Sequence, residues 1–144
     1  MNVRPATAKD AAAIAEVFLA SGEESWGVPG EARPEMQPPP INGGELVAED
    51  DEGICGFAVI EGCAVELLFT HPRAWGRGDG RALLVAAEAA LREAGCAEVT
   101  LWTEVRNTNS RRVYQASGWR KEKEIRERVW NGAPLRELRY RKRL

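Results

Sequence analysis

The sequence predicts one α/β (α+β) domain over residues 1–144, with a central mixed but mostly antiparallel sheet flanked by helices. Between residues 45 and 70, strand-like segments separated by tight turns indicate an antiparallel meander. A helical pattern at 81–94 then separates two further strands, which are therefore expected to run parallel. A hairpin pattern closes the chain, so most strand pairs are predicted to be antiparallel.

Local signals set the bounds of these elements. Thr7 and Asp10 resemble a capping box that opens the first helix, and Ser21-Gly22 is expected to end it. Gly95 closes the alanine- and leucine-rich second helix. We expect an extended start at 2–4, helices from the Thr7 cap to about 20, at 81–94 and at 107–115, and strands at 45–49, 54–60, 64–70, 99–105, 124–130 and 135–142.

Composition and charge are those of an ordinary globular protein. Hydrophobic residues make up 44% and charged residues 29%, and the formal net charge of −2 gives no global basic field for nucleic acid. No apolar run approaches the ~20 residues that cross a bilayer and no signal peptide is visible, so we expect a cytoplasmic protein without a membrane partner. The basic run at 139–143 is interpreted as the polar face of an edge strand rather than a nucleic-acid patch.

The cysteines and the histidine suggest neither a disulfide framework nor a metal site. Cys55, Cys63 and Cys96 are odd in number and form no C-x-x-C pair, so buried structural thiols are the expected state. His71 is the only histidine, precedes Pro72 and is interpreted as a loop residue. No metal cofactor is expected.

The segment from 21 to 44 is rich in proline, glycine and acidic residues, which predicts a long loop. Such loops commonly form lids or binding surfaces, and a solvated connector is the alternative. The segment would suit a cationic ligand because of its acidic residues and a nearby tryptophan, namely Glu23, Glu24, Glu31, Glu35 and Trp26.

A glycine-rich turn between a strand and a helix is the main candidate for a ligand site. It spells Trp75-Gly76-Arg77-Gly78-Asp79-Gly80, and Arg81 opens the helix. Alternate glycines let consecutive N–H groups converge where the helix N-terminus adds partial positive charge, which favours an anion and above all a phosphate. Arg77 and Arg81 would add full charges beside it. A tight turn without a ligand is the alternative.

This turn does not fit two common phosphate motifs. No Gly-Lys-Ser/Thr closes it, as would be required in a nucleoside-triphosphate P-loop. Its glycine spacing also differs from G-x-G-x-x-G, and its strand lies mid-chain instead of opening a βαβ repeat, as in a dinucleotide-binding fold.

The element order and three segments resemble the GNAT superfamily of acetyl-CoA-dependent N-acetyltransferases over essentially the whole chain. The first segment is the strand that enters the turn, at 65–72. The second, at 75–84, is similar to the family's pyrophosphate-binding R/Q-x-x-G-x-G/A signature, and the third, at 107–119, to N-x-x-A-x-x-x-Y-x-x-x-G-F/W. The resemblance implies a GNAT-like acyl-CoA N-acyltransferase fold that moves an acetyl group from acetyl-CoA to a primary amine.

A few positions depart from the family pattern. Trp75 occupies the usual Arg/Gln slot, although a phase that starts at Arg73 fits as well. Asp79 stands where an apolar residue is usual, and because a carboxylate would oppose a pyrophosphate, its side chain is expected to face solvent. Ser110 replaces the alanine of the third segment.

The resemblance also implies which residues hold the cofactor. The glycine turn binds the pyrophosphate, and pantetheine lies beside the preceding strand where that strand splays from its parallel neighbour at a bulge. Asn107 caps the following helix and bonds the pantetheine arm. The residues expected to bind acetyl-CoA are Leu68, Phe69, Thr70, Trp75, Gly76, Arg77, Gly78, Asp79, Gly80, Arg81, Asn107 and Tyr114.

Proton transfer and acceptor binding fall on five residues. Tyr114 matches the family's general acid for the leaving thiolate, and an aromatic residue packed between helix and sheet is the alternative. Glu66, followed by Glu104, is the candidate general base, and a substrate-orienting or salt-bridged carboxylate is the alternative for each. Trp26, Glu24 and Glu66 are expected to contact the acceptor. A backbone N–H of the strand would stabilise the oxyanion.

The expected acceptor is a small cationic amine, polyamine-like or aminoglycoside-like, in preference to a protein or peptide amine. Two other classes of function stay open at this point. One is a non-catalytic acyl-CoA-binding regulatory domain, and the other is an interaction module that does not bind CoA. A homodimer through sheet edges, as in many members of the family, is a further expectation.

Overall fold

The computed structural model describes residues 1–26, 43–130 and 133–144, and the side chains at 22–26, 130 and 133 lie outside that description. The described residues form the strands β1 (Asn2–Pro5), β2 (Glu45–Asp50), β3 (Gly53–Glu61), β4 (Ala64–Thr70), β5 (Glu98–Glu104), β6 (Arg120–Trp130) and β7 (Ala133–Arg143), and the helices α1 (Ala11–Trp26), α2 (Asp79–Glu93) and α3 (Thr108–Ala116). No helix in these ranges is both long and apolar enough to span a membrane.

The strands form one sheet in the order β1-β2-β3-β4-β5-β7-β6. Every neighbouring pair is antiparallel except β4 with β5. The parallel pair arises because α2 carries the chain back along the sheet before β5 begins. The predicted fold class, a mixed and mostly antiparallel sheet flanked by helices, is confirmed.

Helices cover both faces of the sheet. The neighbouring residues Phe57 and Ala58 of β3 belong to different core clusters, and successive strand residues point to opposite faces. The Phe57 cluster contains Phe18 of α1, whose ring lies edge-on to that of Phe69 with 5.8 Å between centroids. The Ala58 cluster contains Leu83 of α2. Helix α1 therefore packs on one face of the sheet and α2 on the other.

Two element bounds differ from the prediction by four residues or more, and the others differ by at most two. Helix α1 continues to Trp26 instead of ending at Ser21-Gly22. Ser21 is buried, and its hydroxyl donates to the carbonyl oxygen of Thr70 at 2.6 Å, so an anchor to the sheet outweighs the weak helix propensity of this pair. Strand β6 begins at Arg120 instead of 124, because an irregularity between Lys121 and Ile125 interrupts the alternating pattern there.

The basic run at 139–143 lies on an interior strand, so the prediction of an edge strand is wrong. Strand β7 pairs with β5 on one side and with β6 on the other. Acidic residues on neighbouring elements compensate its charges. Arg141 binds Glu98 at 3.0 Å, and Lys142 binds Glu88 of α2. The run is basic because it faces these carboxylates.

Two of the three cysteines form a disulfide, which the sequence analysis did not expect. Cys63 in the β3–β4 turn is bonded to Cys96 beyond α2, with 5.7 Å between their Cα atoms. The parallel pairing starts beside this bond, since the N–H of Thr100 donates to the carbonyl oxygen of Cys63 at 3.2 Å. A separation of 33 residues gives no sequence signal for the contact. Cys55 is a buried free thiol, as expected.

Candidate active site

Strands β4 and β5 part after two residue pairs, Ala64 with Thr100 and Val65 with Leu101. On the other edge of β4, Val65 and Leu67 pair with consecutive residues of β3, which leaves Glu66 as an extra residue. A bulge of this kind bends its strand. The resulting opening contains a cavity of about 170 Å³, lined by β4, β5 and the β6–β7 hairpin, which we call the gap cavity.

A larger cavity of about 550 Å³ lies between the glycine turn, the end of β4 and the beginning of α3, and we call it the turn cavity. Gly76 and Gly78 have φ angles of +82° and +89°, a region that residues with a side chain rarely adopt. Gly78 is the N-cap of α2, whose first N–H groups have no acceptor within the helix. This is the geometry expected of an anion-binding nest.

The carboxylate of Asp79 is buried, so the prediction that it faces solvent is wrong. The residue is 4% exposed, and its Oδ2 accepts hydrogen bonds from Arg77 Nη2 at 2.6 Å and from the Cys55 thiol at 3.2 Å. Burial raises the pKa of that thiol to about 11, and the neighbouring carboxylate acts in the same direction. Arg77 also binds Asp50 at 2.7 Å, and these hydrogen bonds raise the pKa of its guanidinium. Arg77 therefore stabilises the turn from outside the turn cavity, which it does not line.

Trp75 and Ser21 converge on one backbone oxygen at the end of β4. The indole Nε1 of Trp75 donates to the carbonyl oxygen of Thr70 at 2.9 Å, and the Ser21 hydroxyl donates to the same atom at 2.6 Å. The tryptophan in the usual Arg/Gln slot thus connects the glycine turn to β4. Arg81, in contrast, is exposed and lines the turn cavity.

The two cavities share a wall made by Leu68, Phe69, Asn107 and Tyr114, each of which lines both. Asn107 occupies the N-cap position of α3, but its side chain makes no capping hydrogen bond. Its Oδ1 atom is buried and has no hydrogen-bond partner among the described residues. A buried acceptor without a partner is uncommon, and one beside a cavity is available to a ligand N–H.

Tyr114 is held between α3 and the sheet. It is 4% exposed, and its ring centroid lies 5.7 Å from that of Tyr140 and 6.3 Å from that of Trp119. Burial raises the pKa of the Tyr114 phenol well above its ordinary value, with Tyr140 acting in the same direction and the Ser110 hydroxyl opposing. The phenol therefore keeps its proton at neutral pH, and its hydroxyl is available as a hydrogen-bond donor.

The two candidate bases lie in different surroundings. Glu66 is exposed at the bulge of β4 and lines the gap cavity. Glu104 lines the same cavity but is buried, and its Oε1 accepts hydrogen bonds from both the backbone N–H and Nε of Arg106 at 2.8 Å. Its Oε2 accepts the backbone N–H of Arg136 at 2.8 Å. Burial raises the pKa of this carboxyl, but the three hydrogen bonds outweigh it and the pKa is lowered.

The side chains of Glu24 and Trp26, expected to contact the acceptor, lie outside the described residues. Sequence analysis did not single out a tryptophan and three charged residues that line the gap cavity, namely Trp102, Arg126, Arg128 and Glu137. In the sequence Arg126, Arg128 and Glu137 resemble the solvated side of a hairpin, and only the pairing of β6 with β7 brings them together. No group of three His, Cys, Asp or Glu residues in the described ranges could hold a metal ion.

Comparison with protein families decides the class of this protein. A model described as the acetyltransferase (GNAT) family matches residues 11–119, which contain the glycine turn and Tyr114. The chain belongs to the GNAT acetyltransferase family. The predicted family, with acetyl-CoA as its acetyl donor, is thereby confirmed. No curated protein matches the chain.

Solved structures of the same fold cover nearly all of this GNAT domain. A GCN5-related N-acetyltransferase from Rhodopseudomonas palustris has a TM-score of 0.81 at 21% identity, over 99% of this chain and 95% of that one. YncA from Salmonella typhimurium, solved with its cofactor acetyl-CoA, has a TM-score of 0.74 at 23% identity, over 100% and 94%. A ribosomal-protein-alanine N-acetyltransferase from Brucella melitensis has a TM-score of 0.75 at 21% identity, over 100% of both chains. These similarities confirm the GNAT-like fold.

Proposed function

We propose that this protein transfers the acetyl group of acetyl-CoA directly to a small primary amine. The observation that carries the proposal is the wall shared by the turn cavity and the gap cavity, made by Leu68, Phe69, Asn107 and Tyr114. A coenzyme arm in the turn cavity and an acceptor in the gap cavity would meet at this wall. Holding both reactants in place makes the attack nearly unimolecular.

The residues around the turn cavity fit acetyl-CoA, which supplies the acetyl group as a thioester. The backbone N–H groups from Gly76 to Arg81 suit a diphosphate, and the volume of about 550 Å³ lies in the range of small-molecule sites. The pairing of β4 with β5 ends at Val65, and the backbone groups of Leu68 and Thr70, which line the turn cavity, can bond an extended amide-containing arm. The buried Oδ1 of Asn107 offers a further acceptor for such an arm.

Glu66 is the first candidate to accept the proton that an ammonium must lose before it attacks. It lies in the gap cavity at the bend of β4, and it is exposed enough to act directly or through water. Glu104 has N–H donors on both oxygens, which supports a structural role at the end of β5. Its alternative role as base therefore ranks second.

Tyr114 is the proposed donor to the leaving thiolate. Tyr114 belongs to the shared wall, and the raised pKa of its phenol keeps the hydroxyl protonated, so that it can donate a hydrogen bond to the departing sulfur. The same side chain packs against Tyr140, so a structural contribution accompanies the proposed catalytic one.

The expected preference for a cationic amine rests on Glu24, Trp26 and nearby acidic residues outside the described part of the chain, and it stays a prediction. The gap cavity, at about 170 Å³, supports a small acceptor. One observation favours a peptide amine as the second candidate. A groove of about 570 Å³ adjoins the gap cavity, with which it shares Glu104, Arg128 and Leu135, and could hold an extended chain.

The decisive experiment incubates the purified protein with acetyl-CoA and a panel of small amines and peptides, and measures the free thiol released. Amine-dependent release is the expected result. Binding of acetyl-CoA without release for any acceptor would instead indicate a non-catalytic acyl-CoA-binding domain. If acetyl-CoA also fails to raise the melting temperature, an interaction module is indicated. Light scattering of the same sample tests the proposed homodimer.

A further inference from the structure

Arg126 and Arg128 of β6 form a basic wall at the side of the gap cavity farthest from β4. Both guanidiniums bind the carboxylate of Glu137 on the adjacent strand. The Nε atoms of Arg126 and Arg128 lie 3.0 Å and 2.6 Å from its Oε1. Glu137 is buried, so this carboxylate fixes both arginine side chains from beneath.

Arg126 presents positive charge to the cavity. Its side chain is 39% exposed, and Glu137 shares one negative charge between two guanidiniums. The guanidinium carbon of Arg126 also lies 4.5 Å from the centroid of the Trp102 ring. This contact supports the planar group from its face. Nε and Nη2 of Arg126 both lie 3.0 Å from Glu137 Oε1, so the Nη1 end of the guanidinium is the part directed to further hydrogen bonds. A guanidinium held in place in this manner is suited to bind a carboxylate through two parallel hydrogen bonds.

The opposite side of the cavity carries negative charge. Glu66 is exposed on the bulge of β4, and the strands β5 and β7 separate it from Arg126. Glu104 lies between them, but N–H donors bind both of its oxygens. The gap cavity therefore has an acidic end next to the shared wall and a basic end below the hairpin.

Given the N-acetyltransferase function proposed above, we propose that the acceptor is a primary amine that also carries a carboxylate, a molecule of amino-acid size. Arg126 binds the carboxylate, while the amine lies toward Glu66 and the shared wall. A polyamine would place its second cation against Arg126, and a lysine side chain of a protein would bring neutral amides there. This acceptor class takes precedence over the polyamine-like amine expected from the sequence.

The carboxylate serves recognition only and takes no part in the acetyl transfer. The amine nitrogen loses one proton and forms a bond to the acetyl carbon as the C–S bond of the thioester breaks. The sulfur keeps the electron pair and takes up a proton. No oxidant or reductant is involved.

Matched amines test the proposal in the full-length protein. Leucine is compared with leucinamide and isoamylamine, and arginine with agmatine, by free-thiol release, with spermidine as the polyamine. In each set the amine that bears a carboxylate should have the larger kcat/KM, by roughly 10- to 100-fold, as for a charge-assisted hydrogen-bonded pair. Equal kcat/KM within every set, or a preference for spermidine, would overturn the proposal.

The substitution Arg126→Gln removes the charge while Arg128 keeps Glu137 paired, so the fold should persist. The ratio of kcat/KM between the carboxylate-bearing amine and its partner should fall toward one, chiefly through a larger KM. Arg141→Gln is the matched control, since Arg141 is bound to Glu98 and Glu122 and does not line the cavity. The control should retain the wild-type ratio. An unchanged ratio in Arg126→Gln would overturn the assignment.

Calorimetry separates this proposal from the underlying function. The same carboxylate-bearing amine is titrated into protein saturated with CoA, which permits no turnover. Binding that Arg126→Gln weakens about tenfold supports the acceptor class, even when no amine releases thiol and the catalytic proposal has failed. Thiol release with no discrimination inside the matched sets leaves catalysis intact and rejects the acceptor class.

Discussion

Arg77 and Asp79 form an ion pair across the glycine turn, with 2.6 Å between Nη2 and Oδ2. Asp50 binds the same Nη2 atom at 2.7 Å, so two carboxylates compensate the arginine. The side chain that looked in the sequence like a phosphate ligand thus stabilises the backbone. The anion binding that we propose at this turn would then depend on N–H groups held by the conformations of Gly76 and Gly78.

Gly78→Ala should weaken acetyl-CoA binding, since alanine is strained at a φ of +89° and would rotate the N–H groups of the nest. We expect a Kd at least about tenfold higher by calorimetry, together with a loss of roughly 1–2 kcal/mol in stability. Gly95→Ala is the control, because Gly95 has a φ of +93° but lies beyond α2, away from the turn cavity. It should lose similar stability and keep its affinity. Equal affinities of the two variants would contradict a backbone nest.

Tyr114→Phe should lower kcat about 100-fold while the Kd for acetyl-CoA stays near its wild-type value, because the phenol acts on the leaving group. Single-turnover thiol release and calorimetry measure the two quantities. Tyr140→Phe is the matched control, since Tyr140 is fully buried and accepts a hydrogen bond from Arg111 Nε at 3.2 Å. Tyr140→Phe should lower the stability and leave kcat near its wild-type value. Unchanged turnover in Tyr114→Phe would remove this residue from the mechanism.

Glu66→Gln and Glu104→Gln should separate catalysis from structure. Because Glu66 is exposed and is the proposed acceptor of the amine proton, Glu66→Gln should lower kcat/KM by about 100-fold with little change in stability. Glu104→Gln should lose roughly 1–3 kcal/mol of stability, because an amide NH₂ would face an N–H donor. Urea denaturation and the pH profile of kcat/KM measure these effects. A stable but inactive Glu104→Gln protein would contradict this assignment and would indicate Glu104 as the base.

The bond between Cys63 and Cys96 should make stability sensitive to reductant. It closes a loop of 33 residues, for which the chain-entropy relation gives about 3–4 kcal/mol. Urea denaturation with and without reductant should show this difference, and Cys63→Ser should match the reduced protein. Cys55→Ala should stay sensitive to reductant, because Cys55 is a free thiol. Thiol titration of the denatured, non-reduced protein should find only Cys55, and three thiols would contradict the disulfide.

Much of the fold could be predicted because its signals are local. The short turns of the meander, the Gly95 stop and the glycine turn each fix the chain over a few residues. The extension of α1 past Ser21 could not be predicted, since it depends on a hydrogen bond to Thr70 49 residues away. The interior position of β7 depends likewise on its pairing with β5, which periodicity does not contain.

The candidate site divides in the same way. The glycine turn and Tyr114 were recognisable because the residues that matter are close in sequence. The orientation of Asp79 was not, since burial beside the Cys55 thiol and Arg77 reverses the argument from charge. Arg126 and Glu137 face each other only after β6 and β7 pair, so the basic wall had no signature in the chain.

The gap cavity lies beside the bulge of β4, where Glu66 is the extra residue. Without this residue, β4 would pair with β3 without a bulge and could then pair with β5 along its whole length. We therefore expect deletion of Glu66 to be a larger change than any substitution there, because it would remove the bulge beside the gap cavity. The proposed reaction site would therefore depend on one extra residue in β4 relative to its partner β3.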